Sequence, residues 1–191
     1  PFNILDMDLE SIINFLFVYH AIGDYCLWGN SKWEIATPLG KLDGTYAIIY
    51  LIINRIKEQK SFNLSFEEFK KFLEGNVEIP LLEDRYKNLV QMNKFIKLQN
   101  KSFYELIKDY DSDIKLLEFI VENFKYFEDI SIYNGLEVYF YKRAQLLTSD
   151  LLHVMESVEK KKVDYSHLIG SADYKIPQVM RCYGMLEFTD E

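Results

Sequence analysis

Apolar residues recur along this chain at the spacing of buried helix faces. Leu9, Ile12, Ile13, Leu16 and Phe17 follow the i, i+3, i+4, i+7 rule, which predicts a first helix capped by Asp6 or Asp8 and ended by Gly23. The apolar run from Ile12 to Trp28 is broken by Asn14, His20 and Asp24, so it reads as a buried helix rather than a membrane span. Tyr46 to Ile56 is apolar on nearly every face and reads as the central helix of the domain. Ser65-Phe66-Glu67-Glu68 and Ser102-Phe103-Tyr104-Glu105 have the form of capping boxes, in which a serine and a glutamate satisfy each other's free amides. Phe66, Phe69, Phe72 and Leu73 form one stripe that Gly75 stops. Two more helices are expected, one from about Glu83 to Leu98 and one marked by Ile114, Leu117, Val121 and Phe124.

Trp33–Thr37 and Lys41–Asp43, around Pro38-Leu39-Gly40, read as one small β-hairpin. From Phe140 the stripe Phe140, Ala144, Leu147, Leu151, Val154, Met155, Val158 predicts a long amphipathic helix. At roughly 100° per residue, Lys142, Gln145 and Ser149 are expected on its opposite side. A last helix is expected from about Asp173 to Leu186, carrying Val179, Met180 and Tyr183. There is no internal repeat, low-complexity segment or long linker. The expected fold is therefore mostly α, a single helical domain over residues 1–191 with one short β-hairpin.

Composition narrows the function classes. The 191 residues suffice for one domain with a real core. Aromatics reach 16%, with 14 Tyr and 14 Phe, and serve either as core or as the walls of a flat pocket. A net charge of −8 argues against a partner made of long nucleic acid and favours a small ligand. Cys26 and Cys182 form neither a disulfide framework nor a zinc pattern, which points to a reducing, cytoplasmic setting. His20, His153 and His167 lack metal-ligand spacing, and there is no phosphate-cradling glycine loop or dinucleotide fingerprint, so neither a metal nor another cofactor is expected. No basic region followed by an apolar run and a cleavage site opens the chain. It begins at Pro1, as methionine removal or a fragment would leave it.

Two polar groups stand out against this background. Lys142 and Arg143 fall in the first turn of their helix, where the macrodipole disfavours cations. That placement calls for an anion, a phosphate or a carboxylate, beside them; the competing reading of Lys142 is a solvated lysine off the core stripe. Asp173 opens the last helix, where an aspartate serves as an N-cap. Amide hydrogen bonds there keep a carboxylate ionised and fixed, as stabilisation of a cationic sugar transition state requires. Gln145 and Gln178 are candidates to read a base edge, and Trp28 and Tyr46 to stack on one, against the alternative of core packing. Asp24 and Asp43 lie in turns and are candidate acceptors for a bound amine.

Phe140-Tyr141-Lys142-Arg143-Ala144-Gln145 and Ala172-Asp173-Tyr174-Lys175-Ile176-Pro177-Gln178 resemble the queuosine salvage protein family, the queuosine 5′-phosphate N-glycosylases/hydrolases. The likeness extends through Pro80–Arg85, Phe127-Glu128-Asp129, Leu151 and Gly184–Phe188, and more loosely to Asp24–Trp28 and Asp43–Tyr46, covering most of the chain from about residue 15. Ser171, Asp24 and the Thr45-Tyr46 pair after Gly44 depart from the family pattern. The resemblance implies a fold like that of the helical DNA glycosylases, and a chain that lacks the N-terminal helical segment of longer members. It also implies hydrolysis of the bond between queuine and ribose in queuosine 5′-monophosphate or queuosine, releasing queuine for reuse in tRNA modification. By that resemblance Asp173 and Lys142 are the catalytic pair, and Trp28, Asp43, Tyr46, Arg143, Gln145, Tyr174 and Gln178 are substrate-binding candidates. The alternatives are a glycosylase for another modified base and a catalytically silent queuine-binding module. Oligomeric state is not legible.

Overall fold

In the computed structural model, which describes residues 6–23, 27, 31–170 and 172–189, the chain runs α1 (Leu9–Ile22), β1 (Glu34–Thr37), β2 (Gly40–Asp43), α2 (Gly44–Lys57), α3 (Phe66–Phe72), α4 (Leu82–Gln99), α5 (Phe103–Ile107), α6 (Asp113–Asn123), a 3-10 turn (Lys125–Phe127), β3 (Ile130–Tyr133), β4 (Leu136–Tyr139), α7 (Lys142–Glu159) and α8 (Lys175–Cys182). The molecule is mostly α, with one contiguous hydrophobic core. Asp24 and Trp28 lie outside the described residues.

Helix α1 is the element on which the others pack. Asp8 caps it, accepting the Ser11 amide at 2.8 Å. Nine of its 14 residues are buried, and α2, α4, α5 and α7 all rest on it. The expectation of a central Tyr46–Ile56 helix is thus corrected. Helix α2 buries one face, Ala47, Ile48, Ile52 and Ile53, and its other apolar residues are only partly covered. Phe17 of α1 stacks on Phe103 with ring centroids 3.9 Å apart and tilts against Phe124. Such buried rings contribute roughly 1.5–3 kcal/mol each through area removed from water. The phenylalanines therefore account for much of the core, whereas Tyr46, Tyr133, Tyr139, Tyr174 and Tyr183 stay exposed.

The last four carbonyls of α1 have no partner within the helix. Here each accepts a donor: Tyr19 from the Gly23 amide, His20 from the Arg143 guanidinium at 2.8 Å, Ala21 from the Asn88 side chain at 3.0 Å, and Ile22 from Arg85. Positive donors also suit the negative end of the helix dipole. Arg85 and Asn88, both on α4, are buried for this purpose.

Both capping boxes form. Ser65 accepts the Glu68 amide while Glu68 accepts the Ser65 amide, and Ser102 and Glu105 do the same. The expected hairpin forms in register, Glu34 opposite Asp43 and Thr37 opposite Gly40. A second hairpin, absent from the sequence expectation, pairs Ile130 with Tyr139 and Tyr133 with Leu136. Its turn is Asn134-Gly135 with φ of 51° and 79°, the left-handed pair that a two-residue hairpin turn requires. Ile132 and Leu136 on it are exposed, so the turn and ladder hold this hairpin rather than core packing. The Asp129 carbonyl closes its base, accepting the Phe140 amide at 2.9 Å and the Tyr141 amide at 3.3 Å.

Helix α6 buries Leu116 and Ile120 together with Asp113; of the expected stripe Ile114, Leu117, Val121 and Phe124, only Phe124, just past the helix end, is fully buried. Helix α8 is shorter than the sequence suggests, ending at Cys182, and none of its residues is buried. Among the described residues no helix is long and apolar enough to cross a membrane.

Candidate active site

Lys142 and Asp173, 31 positions apart, meet at the start of α7. The Lys142 Nζ donates to Asp173 Oδ2 at 2.6 Å, and both side chains are about one-third exposed or less, at 28% and 32%. The pair is sheltered yet open to a ligand.

Each partner is aimed by local backbone. Tyr141 precedes Lys142 in a left-handed conformation, φ 47°, which is costly for a residue other than glycine. It is held there because its amide reaches the Asp129 carbonyl and its own carbonyl accepts the Gln145 amide at 2.8 Å. Asp173 stands just before Tyr174, the residue preceding α8. Its Oδ1 accepts the Lys175 amide at 2.8 Å, and its carbonyl accepts the Ile176 amide at 2.9 Å. The N-cap of α8 is Tyr174, one residue later than the expected Asp173; the Asp173 carboxylate holds the first amide of the helix from just outside it and also binds the lysine.

The ion pair sets the charge state of the site. The Lys142 ammonium, and after it the Lys175 amide, hold the Asp173 carboxyl below the usual carboxylate range. Asp173 is therefore an anion at neutral pH. Each of its oxygens has one described donor, leaving further acceptor capacity for a water or a sugar hydroxyl. The anion that two cations in a helix's first turn require is, for Lys142, this carboxylate. Arg143 is compensated differently: it donates to the carbonyls of Tyr126 at 2.9 Å and His20 at 2.8 Å and lies over the rings of Tyr126 and Phe127.

The chain reaches Asp173 by returning antiparallel along α7. Tyr165 donates to Glu156, the Ile169 amide to Gln145, and Asp173 meets Lys142, so partner numbers fall as the chain advances. Burial and the Glu156 carboxylate push the Tyr165 phenol up to about 12, which keeps it a donor. Gln145 is not on an outer face as its helical position suggests; it is buried, with its Nε2 on the Phe140 carbonyl at 3.0 Å and its Oε1 on the Ile169 amide at 2.9 Å. The returning segment covers a side of α7 that a single-helix pattern leaves open.

The other candidates are spread around the fold. Tyr174, the residue before α8, and Gln178, on α8, are exposed, Tyr174 with the Lys175 ammonium 5.1 Å from its ring centre. Tyr46, in the first turn of α2, is 64% exposed, so it is not a core residue. Asp43 is ion-paired to Lys32 across the first hairpin's base, not to Lys142. Trp28 lies outside the described residues; its neighbour Leu27 lies against Gly44 at the start of α2. Two open cavities of about 480 Å³ each surround the connection after α3, and neither is lined by Lys142 or Asp173. Among the described residues no group of three His, Cys, Asp or Glu is placed to hold a metal ion.

One cluster escaped the sequence reading. The buried Asp113 carboxylate accepts the His167 amide at 2.7 Å, the Leu168 amide at 2.9 Å, the Ile114 amide at 2.6 Å and the His167 ring at 2.9 Å. Burial alone raises such a carboxyl; its bonds from His167, Ile114 and Leu168 outweigh that and hold it below the usual range. Its only sequence signal is an aspartate directly before an apolar helical stripe, which reads as an ordinary cap.

The profile of the family described as "Queuosine salvage protein" matches residues 4–191. Proteins named queuosine 5′-phosphate N-glycosylase/hydrolase are similar over nearly the whole chain. The one from Sphaerobacter thermophilus is 26% identical over 94% of this chain and 58% of its own length. That from Bos taurus is 27% identical over 95% and 58%, and that from Nematostella vectensis 28% identical over 95% and 56%. The chain spans less than two thirds of the length of these curated relatives. With its profile matched from residue 4 to the last residue, this chain belongs to the queuosine salvage protein family.

Proposed function

We propose that this chain is an N-glycosidase that hydrolyses the bond between base and ribose in queuosine 5′-monophosphate, or in the queuosine nucleoside, and releases queuine for reuse in tRNA. The observation that carries the reading is the 2.6 Å contact between Lys142 Nζ and Asp173 Oδ2, half-sheltered at two helix starts. Its relatives' name supports the substrate class.

In this reaction the C1′–N bond breaks, the base leaves with the electron pair, and a water oxygen forms the new C1′–O bond. The water's proton goes ultimately to the departing base. The leaving group is a 7-deazapurine, which has no N7 to protonate, so electrostatic stabilisation and positioning supply most of the acceleration. Asp173 faces the sugar as it gains positive charge and orients the attacking water. Lys142 keeps Asp173 ionised and in place, and its ammonium assists the departing base or holds the ribose phosphate. Tyr174 and Gln178, close to Asp173 in sequence, and Tyr46, at the start of α2, are exposed and are the candidates to hold the base. Arg143 acts from beneath by fixing α7, and Gln145 by fixing the segment that leads to Asp173.

A small modified nucleotide or nucleoside, rather than a nucleic-acid polymer, fits the net charge of −8. The cysteine content fits a cytoplasmic setting. The test is mass-spectrometric detection of free queuine after incubating the chain with queuosine 5′-monophosphate and, separately, with queuosine. Release from the phosphate alone supports the salvage reading with a phosphate subsite, and release from both supports a nucleoside-tolerant pocket. No release from either by folded protein contradicts the proposal, and binding without turnover would identify a silent module instead.

A further inference from the structure

We propose that Asp113, acting together with Gln145, is a positioning residue for Asp173: the two side chains hold three consecutive amides of the returning segment in the register that lays Asp173 against Lys142. The inference rests on the reading of Lys142 and Asp173 as the reactive pair.

Helix α7 has 18 residues and is about 27 Å long at 1.5 Å per residue. The chain leaves its far end at Lys160 and must travel back most of that length to bring Asp173 to Lys142. The described part of that return, residues 160–170, contains no helix or paired strand of its own. Its direction therefore depends on what its backbone binds. At the start, Asp164 exchanges backbone bonds with Asp111 and Asp113, both at 3.1 Å, and the Lys161 ammonium binds the Lys108 and Tyr110 carbonyls. At the end nearest the site, the amides of His167 and Leu168 both donate to Asp113 Oδ2, and the next amide, Ile169, donates to Gln145 Oε1.

These two clamps come from different helices. Asp113 opens α6 and is fully buried; Gln145 lies on α7, one turn after Lys142, and is also buried. Gln145 binds the Phe140 carbonyl with its other end, so one carboxamide ties the chain entering α7 to the segment that carries Asp173. A buried carboxylate taking two successive amides fixes both position and direction of the backbone, because the bonds are short and charge-assisted. A shift of about 1 Å at a reacting group lowers rate by as much as a hundredfold. Lys142 alone leaves Asp173 this freedom, since a lysine is a mobile point charge on a flexible stem.

The test uses the full chain labelled with 13C at the aspartate carboxyls. The Asp173 signal is assigned by its loss in Asp173→Asn and titrated by NMR in wild type, Asp113→Asn and Gln145→Met, with circular dichroism confirming the fold of each. The proposal expects the Asp173 titration to move up toward the ordinary aspartate range in both variants and in Lys142→Met, with no further shift when Asp113→Asn is added to Lys142→Met. It also expects kcat for queuosine 5′-monophosphate to fall at least tenfold with KM changed less than threefold. Folded variants in which Asp173 titrates as in wild type overturn the proposal. Should Asp113→Asn fail to fold, Gln145→Met decides alone, since it replaces the amide with an apolar chain of similar volume. A shifted Asp173 titration in a chain that releases no queuine would uphold the positioning role and refute the catalytic reading; normal queuine release with an unmoved titration would do the reverse.

Discussion

The Arg143 guanidinium donates to the His20 carbonyl at 2.8 Å, joining the first turn of α7 to the last turn of α1 across 123 positions. A second bond reaches the Tyr126 carbonyl, and the plane lies over two aromatic rings. The planar fork satisfies these acceptors together, whereas an ammonium is a point charge. Arg143→Lys should therefore cost about 2 kcal/mol of stability, the scale of a lost hydrogen bond to a charged group, read by denaturant unfolding. A fully stable variant with only a raised KM for the phosphorylated substrate would make Arg143 a phosphate ligand instead.

Lys142 is the leading cause of the lowered Asp173 carboxyl. A depressed folded value means that Asp173 contributes stability above the unfolded value, about 3.9, and loses it as pH falls through the folded one. The acid limb of kcat/KM reports the ionisation of the free enzyme's carboxylate. In Lys142→Met that limb should move upward toward the ordinary aspartate value while kcat falls. An acid limb that stays in place would separate the lysine from the charge state of Asp173.

Tyr46 is exposed at the start of α2 and contributes nothing to the core. A base stacked on an aromatic ring gains about 1–3 kcal/mol. Tyr46→Ala should therefore raise KM about tenfold and leave the melting temperature unchanged. An unchanged KM would remove Tyr46 from the substrate surface.

Gly75 provides a control far from the chemistry. A Cβ there would meet the Trp33 Nε1 at 2.5 Å and the Glu34 carbonyl at 2.6 Å, the latter fixed backbone. Gly75→Ala should destabilise by roughly 1–3 kcal/mol through overpacking and leave the Asp173 titration as it is. Unfolding curves that coincide with wild type would show that the loop yields at no cost.

Much of this was legible because local rules decided it. The serine–glutamate boxes at Ser65 and Ser102, the Asp8 cap and the first hairpin depend on neighbours a few positions away. Lys142 and Asp173 stood out because each sits at a helix start where its charge needs an explanation. What the pattern missed was tertiary. Gln145 lies off the apolar stripe of α7, yet the segment of residues 160–170 covers it, and no periodicity within α7 records that cover. Asp113 looks like a cap until three amides and a ring from sequence positions 114 and 167–168 converge on it. Helix α2 is richer in apolar residues than a flanking helix needs, and only packing shows that α1 is central. The second hairpin was present in the sequence: Asn134-Gly135 between Ile-Ser-Ile-Tyr and Leu-Glu-Val-Tyr is a strong turn signal.

The central claim is that Asp173 carries the hydrolysis, and the most direct measurement is the turnover of queuosine 5′-monophosphate to free queuine by wild type and Asp173→Asn, both verified as folded. The asparagine keeps the shape and an acceptor for the Lys175 amide but loses the charge. Wild type should release queuine, and kcat for the variant should fall at least a hundredfold. Release by Asp173→Asn at the wild-type rate would contradict that claim.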